Sequence, residues 1–555
     1  MDSIGIVRKL DDEPTASVVV GASDPDARSS NGSIAGCAAA RGEVPLSGSR
    51  RLAGPAAAAT SVAAMTHVET TFGALFPEAG EGAESPVSGL AYDSRKVEEG
   101  FAFVAVPGTK ANGAAFIADA LARGAKAIVG EVRRPPTLFP EIPYLQVADA
   151  RRALSLAAAR LHPGQPETVV AVTGTSGKSS VAEFVRQLFQ ATGRESASLG
   201  TLGITTRGGA HYGSLTTPDP ITLHQDLERL AGDGVTHLAM EASSHGIDQR
   251  RLDGVRLAAA AFTNLGRDHL DYHPTVEDYL QAKLRLFRDL LPEGRPVVVN
   301  LDGAEGARVA RFAAEHRHPV MTVGREGEAV RLLSVDRVGF AQRLMLRAGG
   351  RDISVDLPLV GGFQVENALV AAGLVLAAEP GLDPVAVLRR MSGLTGVAGR
   401  LDRIGEVEGA LCVVDYAHKP EALAAVLDTL RPFATGRLVC VFGCGGDRDR
   451  GKRPIMGAIA AEKADVVVVT DDNPRSEDPA SIRAAILAAA PGAREIGDRR
   501  EAIGHAVAEL GPGDVLVVAG KGHETGQIVG DTVLPFSDHD EIRAAMQARS
   551  RESRS

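Results

Sequence analysis

Short apolar runs alternate with longer amphipathic stretches along most of the chain, and each run ends in polar or glycine-rich residues. In the middle of the chain the runs are TVVAVTG (168–174), HLAMEAS (237–243), AAAAFTNLG (258–266) and PVVVNLDG (296–303). Such alternation of strands and helices is typical of a mostly parallel sheet covered by helices. The pattern therefore predicts an α/β fold.

The same pattern divides most of the chain into three α/β units. The first, 67–163, contains FAFVAVPG, a helix-like segment from Gly113 to Arg123 and KAIVGEV, and the second, 164–397, contains the runs above. The third, 398–555, contains LCVVDYAH, RLVCVFGCGG, DVVVVTDDN and VLVVAGKG. Because ligands of open α/β sheets bind at the carboxyl ends of strands, we expect the loops after these runs to bind them.

Residues 1–66 differ from the rest of the chain. They are rich in Ala, Ser, Gly and Arg and have no sustained period. We expect a disordered N-terminal extension, since nothing in it could form a core. Met65 offers an alternative start site.

Composition narrows the class of protein. The chain has 60 Lys and Arg against 70 Asp and Glu, a net charge of −10, which argues against nonspecific nucleic-acid binding. No apolar run reaches the roughly 18 residues of a membrane span. The four cysteines have no CxxC spacing, which favours reduced thiols. We expect a cytoplasmic, monomeric enzyme.

A glycine-rich loop joins the strand-like run at 168–173 to a helical stretch that the pattern starts near Val181. Its glycines allow backbone N–H groups to surround phosphate oxygens at a helix N-terminus. Lys178 would neutralise phosphate charge, and Ser179 or Ser180 would ligate Mg²⁺. Val172 occupies the first glycine position of the full Walker pattern, so the loop is a shortened variant. The predicted nucleotide-binding residues are Gly174, Thr175, Ser176, Gly177, Lys178, Ser179 and Ser180.

Carboxylates and histidines follow the next two strands of the central unit. Glu241 ends one strand, where a carboxylate beside a phosphate loop suits Mg²⁺. Asp268 and His269 follow another strand and could serve Mg²⁺ or ATP; otherwise they are a polar loop. On composition alone, Lys283 is a solvated helix lysine.

Together these segments resemble the Mur ligase family, and within it the UDP-N-acetylmuramoyl-tripeptide synthetases, over about residues 90–540. The motifs are TGTSGKSS, TTPDP, EASSHGIDQRR, FTNLGRDHLDYH, GGFQVENA, GRLDRI, DYAHKPEAL, GCGGDRDRGKRP, DDNPRSEDP and GKGHE.

The resemblance implies a UDP-binding domain, a central P-loop ATPase domain and a C-terminal Rossmann-like domain that binds the amino acid. It implies that ATP and Mg²⁺ convert the D-Glu carboxylate of UDP-N-acetylmuramoyl-L-Ala-D-Glu to an acyl phosphate, which meso-diaminopimelate then attacks. The resemblance also implies that this reaction is part of peptidoglycan precursor synthesis.

The resemblance also implies residue roles. Lys178, His269 and a carbamylated Lys283 would be catalytic, and Ser179, Glu241 and the Lys283 carbamate would hold the metal. Arg400, Asp415 and His418 would bind ATP. The UDP-dipeptide would contact Ser94, Thr216, Thr217, Ser243, Gln249 and Arg251. Diaminopimelate would contact Arg448, Asp472, Asn473, Pro474, Arg475, Gly520 and Glu524.

The choice of amino acid depends on Arg475, because its planar guanidinium matches the distal carboxylate of diaminopimelate and repels the ammonium of lysine. A lysine-adding ligase of the same type is the nearest alternative. A folylpolyglutamate synthase-like ligase is more distant. The GGDRDRGKRP and DNPR loops argue against a P-loop ATPase or kinase without ligation, because such a protein would not need them.

Overall fold

The computed structural model describes residues 70–108, 112–136, 138–211, 215–269 and 271–552. The expectation for residues 1–66 lies outside these ranges, as does Cys37. Cys412, Cys440 and Cys444 are buried free thiols. The predicted α/β class is confirmed, because the three larger sheets contain parallel strands that alternate with helices along the chain.

The first sheet is parallel and consists of Gly89–Ala91, Phe101–Ala105, Ala127–Gly130 and Tyr144–Gln146, in that order. A short antiparallel pair, Thr70–Thr71 with Pro86–Val87, lies outside it. The helices of this part are Phe72–Leu75, Ile117–Ala122 and Ala150–Leu161. The predicted helix at 113–123 begins as a 3-10 turn, Gly113–Phe116, before the α-helix.

The central sheet contains eleven strands within the described residues. Their order across the sheet is Gly209–His211, Gly203–Thr206, Ser196–Gly200, His237–Glu241, Thr168–Thr173, Ala259–Phe262, Val297–Asn300, Val320–Gly324, Val330–Val338, Ala341–Ala348 and Arg351–Leu357. The middle pairs are parallel and the pairs at both edges are antiparallel. The antiparallel strands over 330–357 were not predicted, because their side chains alternate between buried and exposed instead of forming an apolar run.

Helices cover both faces of the central sheet, which explains why its parallel strands are apolar throughout. They are Lys178–Ala191, Pro220–Gly232, Ser244–Asp248, Val276–Arg285, Gly306–Glu315, Gly362–Ala378 and Pro384–Arg390, with a π-helical turn at Leu286–Leu290. Separate apolar cores lie on the two faces. Because these strands are parallel, their polar carboxyl ends meet at one edge of the sheet.

The C-terminal sheet has the order Asp402–Val407, Ala410–Asp415, Val515–Ala519, Leu438–Phe442, Val466–Val469 and Arg494–Glu495. Its first pair is antiparallel and the others are parallel. A hairpin, Gly526–Val529 with Thr532–Pro535, follows the strand at 515–519. The helices are Pro420–Leu430, Lys452–Lys463, Pro479–Leu487, Arg499–Ala508 and Asp538–Glu552.

A fully buried ion pair fastens the last helix of the described chain beneath this sheet. The guanidinium of Arg499 donates to both carboxylate oxygens of Asp538, at 2.7 and 2.9 Å. In the ranges that the structure describes, no helix combines the length and apolar character needed to cross a bilayer.

Candidate active site

The phosphate loop departs from the predicted geometry at its end. The helix begins at Lys178, not near Val181, so the prediction of the helix start is wrong by one turn. Gly177 precedes the helix with φ 85°, and Gly174 has φ 149°. A β-carbon would lie 1.9 Å from the Thr263 hydroxyl at Gly174 and 2.2 Å from Asn367 Oδ1 at Gly177. Both glycines are therefore required by backbone conformation and by close packing.

Two residues that follow the neighbouring strand Ala259–Phe262 hydrogen-bond to this loop. The Thr263 hydroxyl donates to the Ser176 carbonyl at 2.7 Å. The Ser176 N–H donates to Asn264 Oδ1 at 3.1 Å, and the Thr175 N–H donates to the Asn264 carbonyl at 2.9 Å. No spacing within the loop marks these partners, which lie about ninety residues away; their signal is the polar end of the strand at 259–262.

Two lysines donate to the same backbone oxygen of the loop. The Lys178 ammonium donates to the carbonyls of Gly174 and Thr175, at 2.9 and 3.0 Å, and Lys283 donates to that of Gly174 at 2.8 Å. Lys283 is 1% exposed and lies over the Tyr279 ring, so the composition-based expectation of a solvated lysine is wrong. Burial lowers the pKa of both lysines, and the charge of Lys178 further lowers the pKa of Lys283.

Glu241 is held in a fixed orientation, and its charge acts on Lys178. Its carboxylate is buried and accepts the Thr201 N–H at 2.7 Å and the Thr201 hydroxyl at 3.2 Å. Thr216, a predicted substrate residue, shares a hydrogen bond with the Thr201 hydroxyl at 3.0 Å. An oriented carboxylate near a phosphate loop is the oxygen donor that Mg²⁺ prefers, with Ser179 as a second oxygen. The donor chemistry therefore fits Mg²⁺.

His269 lies in a group of aromatic rings beside Lys283. Its ring is 4.8 Å from that of His245 and 6.0 Å from that of Tyr279, the residue over which Lys283 lies. Its Nε2 is 3.7 Å from Asp268 Oδ2. His269 has φ 53°, an uncommon conformation for a residue other than glycine. The structure thus brings His269 and Lys283 to one side of the phosphate loop.

Four of the predicted dipeptide-binding residues form one connected network. The Thr217 hydroxyl shares a hydrogen bond with the Ser243 hydroxyl at 3.0 Å. Arg251 donates to the Thr217 carbonyl and to Gln249 Oε1, both at 2.7 Å. Burial lowers the pKa of Arg251. This network leads from the strand end at Glu241 toward the first sheet.

Ser94 lies in that first part of the chain, where it begins a 3-10 turn. Ser94 is buried, and its hydroxyl hydrogen-bonds to the carboxylate of Asp119. This contact lowers the pKa of Asp119. Burial raises the pKa of the nearby Tyr92, which also interacts electrostatically with Arg251. Ser94 is thus two residues from Tyr92, which interacts with Arg251 of the dipeptide network.

A cavity of about 770 Å³ lies at the carboxyl edge of the C-terminal sheet. The residues predicted for diaminopimelate line it, apart from Pro474, which lies behind the lining with its carbonyl against Gly446. The lining contains the diaminopimelate residues Arg448, Asp472, Asn473, Arg475, Gly520 and Glu524, and also His418, which was predicted for ATP.

The backbone of Arg475 is hydrogen-bonded to the hairpin at 526–535 through both its N–H and its carbonyl group. Its N–H donates to the Ile528 carbonyl at 3.0 Å, and its carbonyl accepts the Gly530 N–H at 2.8 Å. These bonds join Arg475 to the hairpin and stabilise its φ of 52°. The guanidinium donates to the Gly446 carbonyl at 2.8 Å, so it also ties two cavity loops together.

Asp415 and Arg400 lie at the junction of the central and C-terminal sheets. The Asp415 carboxylate accepts the N–H groups of Leu401 and Ala417, at 2.7 and 2.8 Å, and burial raises its pKa to about 6. The Arg400 guanidinium lies 5.2 Å from the centre of the Tyr416 ring. Asp415 therefore positions the backbone next to Arg400 and is not part of the cavity lining.

Comparison with known proteins gives one family over most of the chain. The Mur ligase family catalytic domain matches residues 86–162, the Mur ligase middle domain 172–375 and the Mur ligase glutamate ligase domain 399–522. These matches follow the order of the three sheets.

Individual relatives agree with the family match. The UDP-N-acetylmuramoyl-L-alanyl-D-glutamate–2,6-diaminopimelate ligase of Brucella melitensis is 55% identical over 482 residues, covering 86% of this chain and 98% of the relative. A solved structure of a ligase with the same name is 34% identical with a TM-score of 0.66, covering 87% of this chain and 99% of that one. A folylpolyglutamate synthase from Mycobacterium tuberculosis, 20% identical with a TM-score of 0.53 over 73% of this chain and 95% of that one, shares the fold alone. The chain belongs to the Mur ligase family.

Proposed function

We propose that this enzyme adds meso-diaminopimelate to the D-Glu of UDP-N-acetylmuramoyl-L-Ala-D-Glu, using ATP, in cytoplasmic peptidoglycan precursor synthesis. The observation that carries the proposal is the cavity that Arg448, Asn473, Arg475 and Glu524 line together. It offers donors for a carboxylate and an acceptor for an ammonium. The name shared by the relatives, which the chain covers almost entirely, supports the same substrate.

The first step is phosphoryl transfer to a carboxylate. A D-Glu carboxylate oxygen attacks the γ-phosphorus, the bond to the β-phosphate oxygen breaks, and ADP leaves. Two anions must approach each other, and Lys178 would offset their repulsion from the phosphate loop. Mg²⁺, held by Ser179, Glu241 and a Lys283 carbamate, would supply further charge stabilisation.

The second step is amide formation. The amine of diaminopimelate attacks the acyl carbon, loses a proton and expels phosphate. The amino acid is held at its far end by the C-terminal cavity, so closure of Arg400 and the Asp415-supported loop over the nucleotide site would bring the amine to the acyl phosphate. Thr217, Ser243, Gln249 and Arg251 would orient the dipeptide, and Ser94 the uridine of the nucleotide. His269 would act beside the metal.

Carbamylation of Lys283 is supported by its surroundings. Its amine is buried, shares one carbonyl with Lys178, and has a lowered pKa. A neutral amine can form an N–C bond to CO₂ and lose a proton to solvent, and the resulting carbamate anion would remove any repulsion from the neighbouring Lys178 cation. A carbamate would also present oxygen to the metal.

Ligation is tested by measuring phosphate release with purified enzyme, ATP and the UDP-dipeptide, with diaminopimelate, lysine or neither. We expect release only with diaminopimelate, together with a UDP-tripeptide product in mass spectra. Equal rates with lysine would favour the lysine-adding alternative. Release without either amino acid would overturn ligation and favour a simple ATPase.

A further inference from the structure

Lys521 is a fully buried cation next to the amino-acid cavity, and none of the roles above includes it. It follows the strand Val515–Ala519, and its side chain is 0% exposed. Its ammonium donates to Asn473 Oδ1 at 2.8 Å and lies 3.3 Å from Glu524 Oε2. A buried ammonium is strongly destabilising unless hydrogen bonds and an opposite charge compensate it, so these contacts constrain both partners.

The contacts fix which way the Asn473 amide points. An ammonium and a backbone N–H can only donate, so the amide atom that faces both Lys521 and the Ile528 N–H must be the oxygen. The Ile528 N–H lies 2.9 Å from this oxygen. The amide nitrogen then points to Glu524 Oε2, at 2.9 Å. Lys521 therefore determines the orientation of two cavity side chains at once.

This orientation gives the cavity its polarity. With its oxygen engaged by Lys521 and Ile528 and one N–H donated to Glu524, the Asn473 amide has its second N–H left to offer in the cavity that it lines with Arg475. Glu524 receives both donors on Oε2, and its side chain remains 32% exposed toward the cavity. One wall therefore donates to a carboxylate, while the other accepts from an ammonium, the two groups at one end of an amino acid.

We propose that Lys521 is a positioning residue for the amino-acid substrate: it sets the amide of Asn473 and the carboxylate of Glu524 in the orientation that recognises an ammonium and a carboxylate together. The proposal rests on the function proposed above. Without the ammonium, the Asn473 amide could turn and direct its oxygen at the substrate carboxylate. Glu524 would lose its opposite charge.

Lys521→Met tests this proposal, because methionine keeps an unbranched apolar chain and removes the charge. We expect the KM for diaminopimelate to rise at least about tenfold, the scale of one charge-assisted hydrogen bond, while the KM for ATP stays within about twofold. Lys463→Met is the matched control. Lys463 lies in the same part of the fold, paired with Asp428 at 2.8 Å, and should leave both constants unchanged.

A double-mutant cycle separates positioning from a general loss of folding. Because Lys521 acts partly through Glu524, adding Lys521→Met to Glu524→Gln should raise the KM for diaminopimelate by a smaller factor than Lys521→Met does in the wild-type background. The double variant removes both charges together, so it keeps the test available if Lys521→Met alone does not fold. Additive effects, or an unchanged KM in Lys521→Met, would overturn the proposal. Failure of the wild-type enzyme to ligate diaminopimelate would instead overturn the proposed function.

Discussion

The phosphate loop and the cavity of the C-terminal sheet differ in how their buried lysines are compensated. At the phosphate loop, two lysines donate to one carbonyl, that of Gly174, and the pKa of each is lowered by burial. In the cavity, the buried Lys521 already has an acidic partner in Glu524 and an amide partner in Asn473.

The two sites would therefore gain free energy from their ligands in different ways. At the phosphate loop the two lysines donate to backbone carbonyls, and carboxylates such as Asp268 act on them only as neighbouring charges. Binding of an anion would therefore relieve an electrostatic cost of the protein itself. In the cavity, Lys521 and Glu524 already compensate each other's charge before a ligand binds. The free energy of binding there would therefore depend on the shape and polarity of the ligand. Removing a charge should therefore affect folding differently in the two places.

Lys178→Ala gives the largest expected loss. Ligation should fall about 100- to 1000-fold, because one stabiliser of the transferring phosphoryl group is lost. The melting temperature should stay the same or rise, since a poorly compensated cation is removed. Steady-state rates and thermal unfolding of this variant and of Lys463→Ala would check both. A variant that keeps near-wild-type activity would refute the role of the loop.

If Lys283 is carbamylated as proposed, Lys283→Ala should lower activity about 100-fold, because Mg²⁺ would lose an anionic ligand. Acetate or formate should restore part of the activity by replacing the carbamate, and should not do so for Lys178→Ala. Intact-protein mass spectra taken under CO₂ would detect the carbamate directly. A free amine in a fully active preparation would contradict carbamylation.

Arg475→Ala should weaken the use of diaminopimelate at least about tenfold, the effect of one charge-assisted contact. Wild-type enzyme should use lysine poorly, because the guanidinium repels its distal ammonium. The ratio of kcat/KM for the two amino acids measures this. Arg494→Ala, an exposed arginine paired with Glu509 at 2.7 Å, serves as the control. An unchanged ratio in Arg475→Ala would remove the basis for selection.

Asp415 gives the smallest expected effect, a dependence on pH. Since burial raises the pKa of Asp415 to about 6, its carboxylate gains a proton as the pH falls through that value. Protonation removes an acceptor for the Leu401 and Ala417 N–H groups. The kcat/KM for ATP should therefore fall about twofold from its plateau at the pKa. Asp415→Asn, which does not titrate, should lack this acid limb; if it keeps the limb, another group is responsible.

What the sequence could predict depends on how local each interaction is. The glycine-rich loop lies between a strand and a helix that adjoin it in sequence, so its placement could be predicted, although the helix starts at Lys178. The bonds from Thr263 and Asn264 join positions about ninety residues apart and have no local pattern.

The cavity shows the same limit more strongly. Resemblance named its lining, but the pairing of Lys521 with Asn473 joins loops after two different strands. A lysine within GKGHE has nothing in its spacing that distinguishes a buried side chain from a solvated one. Burial of Lys283 is equally invisible to composition, because it depends on how its helix packs beneath Gly174.

The hairpin at 526–535 has a consequence for redesigning this enzyme. It bonds to the backbone of Arg475 on both sides, and the Gln527 amide donates to the Asp472 carbonyl at 2.8 Å. The loop that carries Arg475 is thus joined to this two-stranded hairpin by an isolated β-bridge between Arg475 and Val529. Grafting the DNPR loop alone into another ligase would leave its arginine without support. Amino-acid preference should transfer only when the loop and hairpin are exchanged as a single cassette.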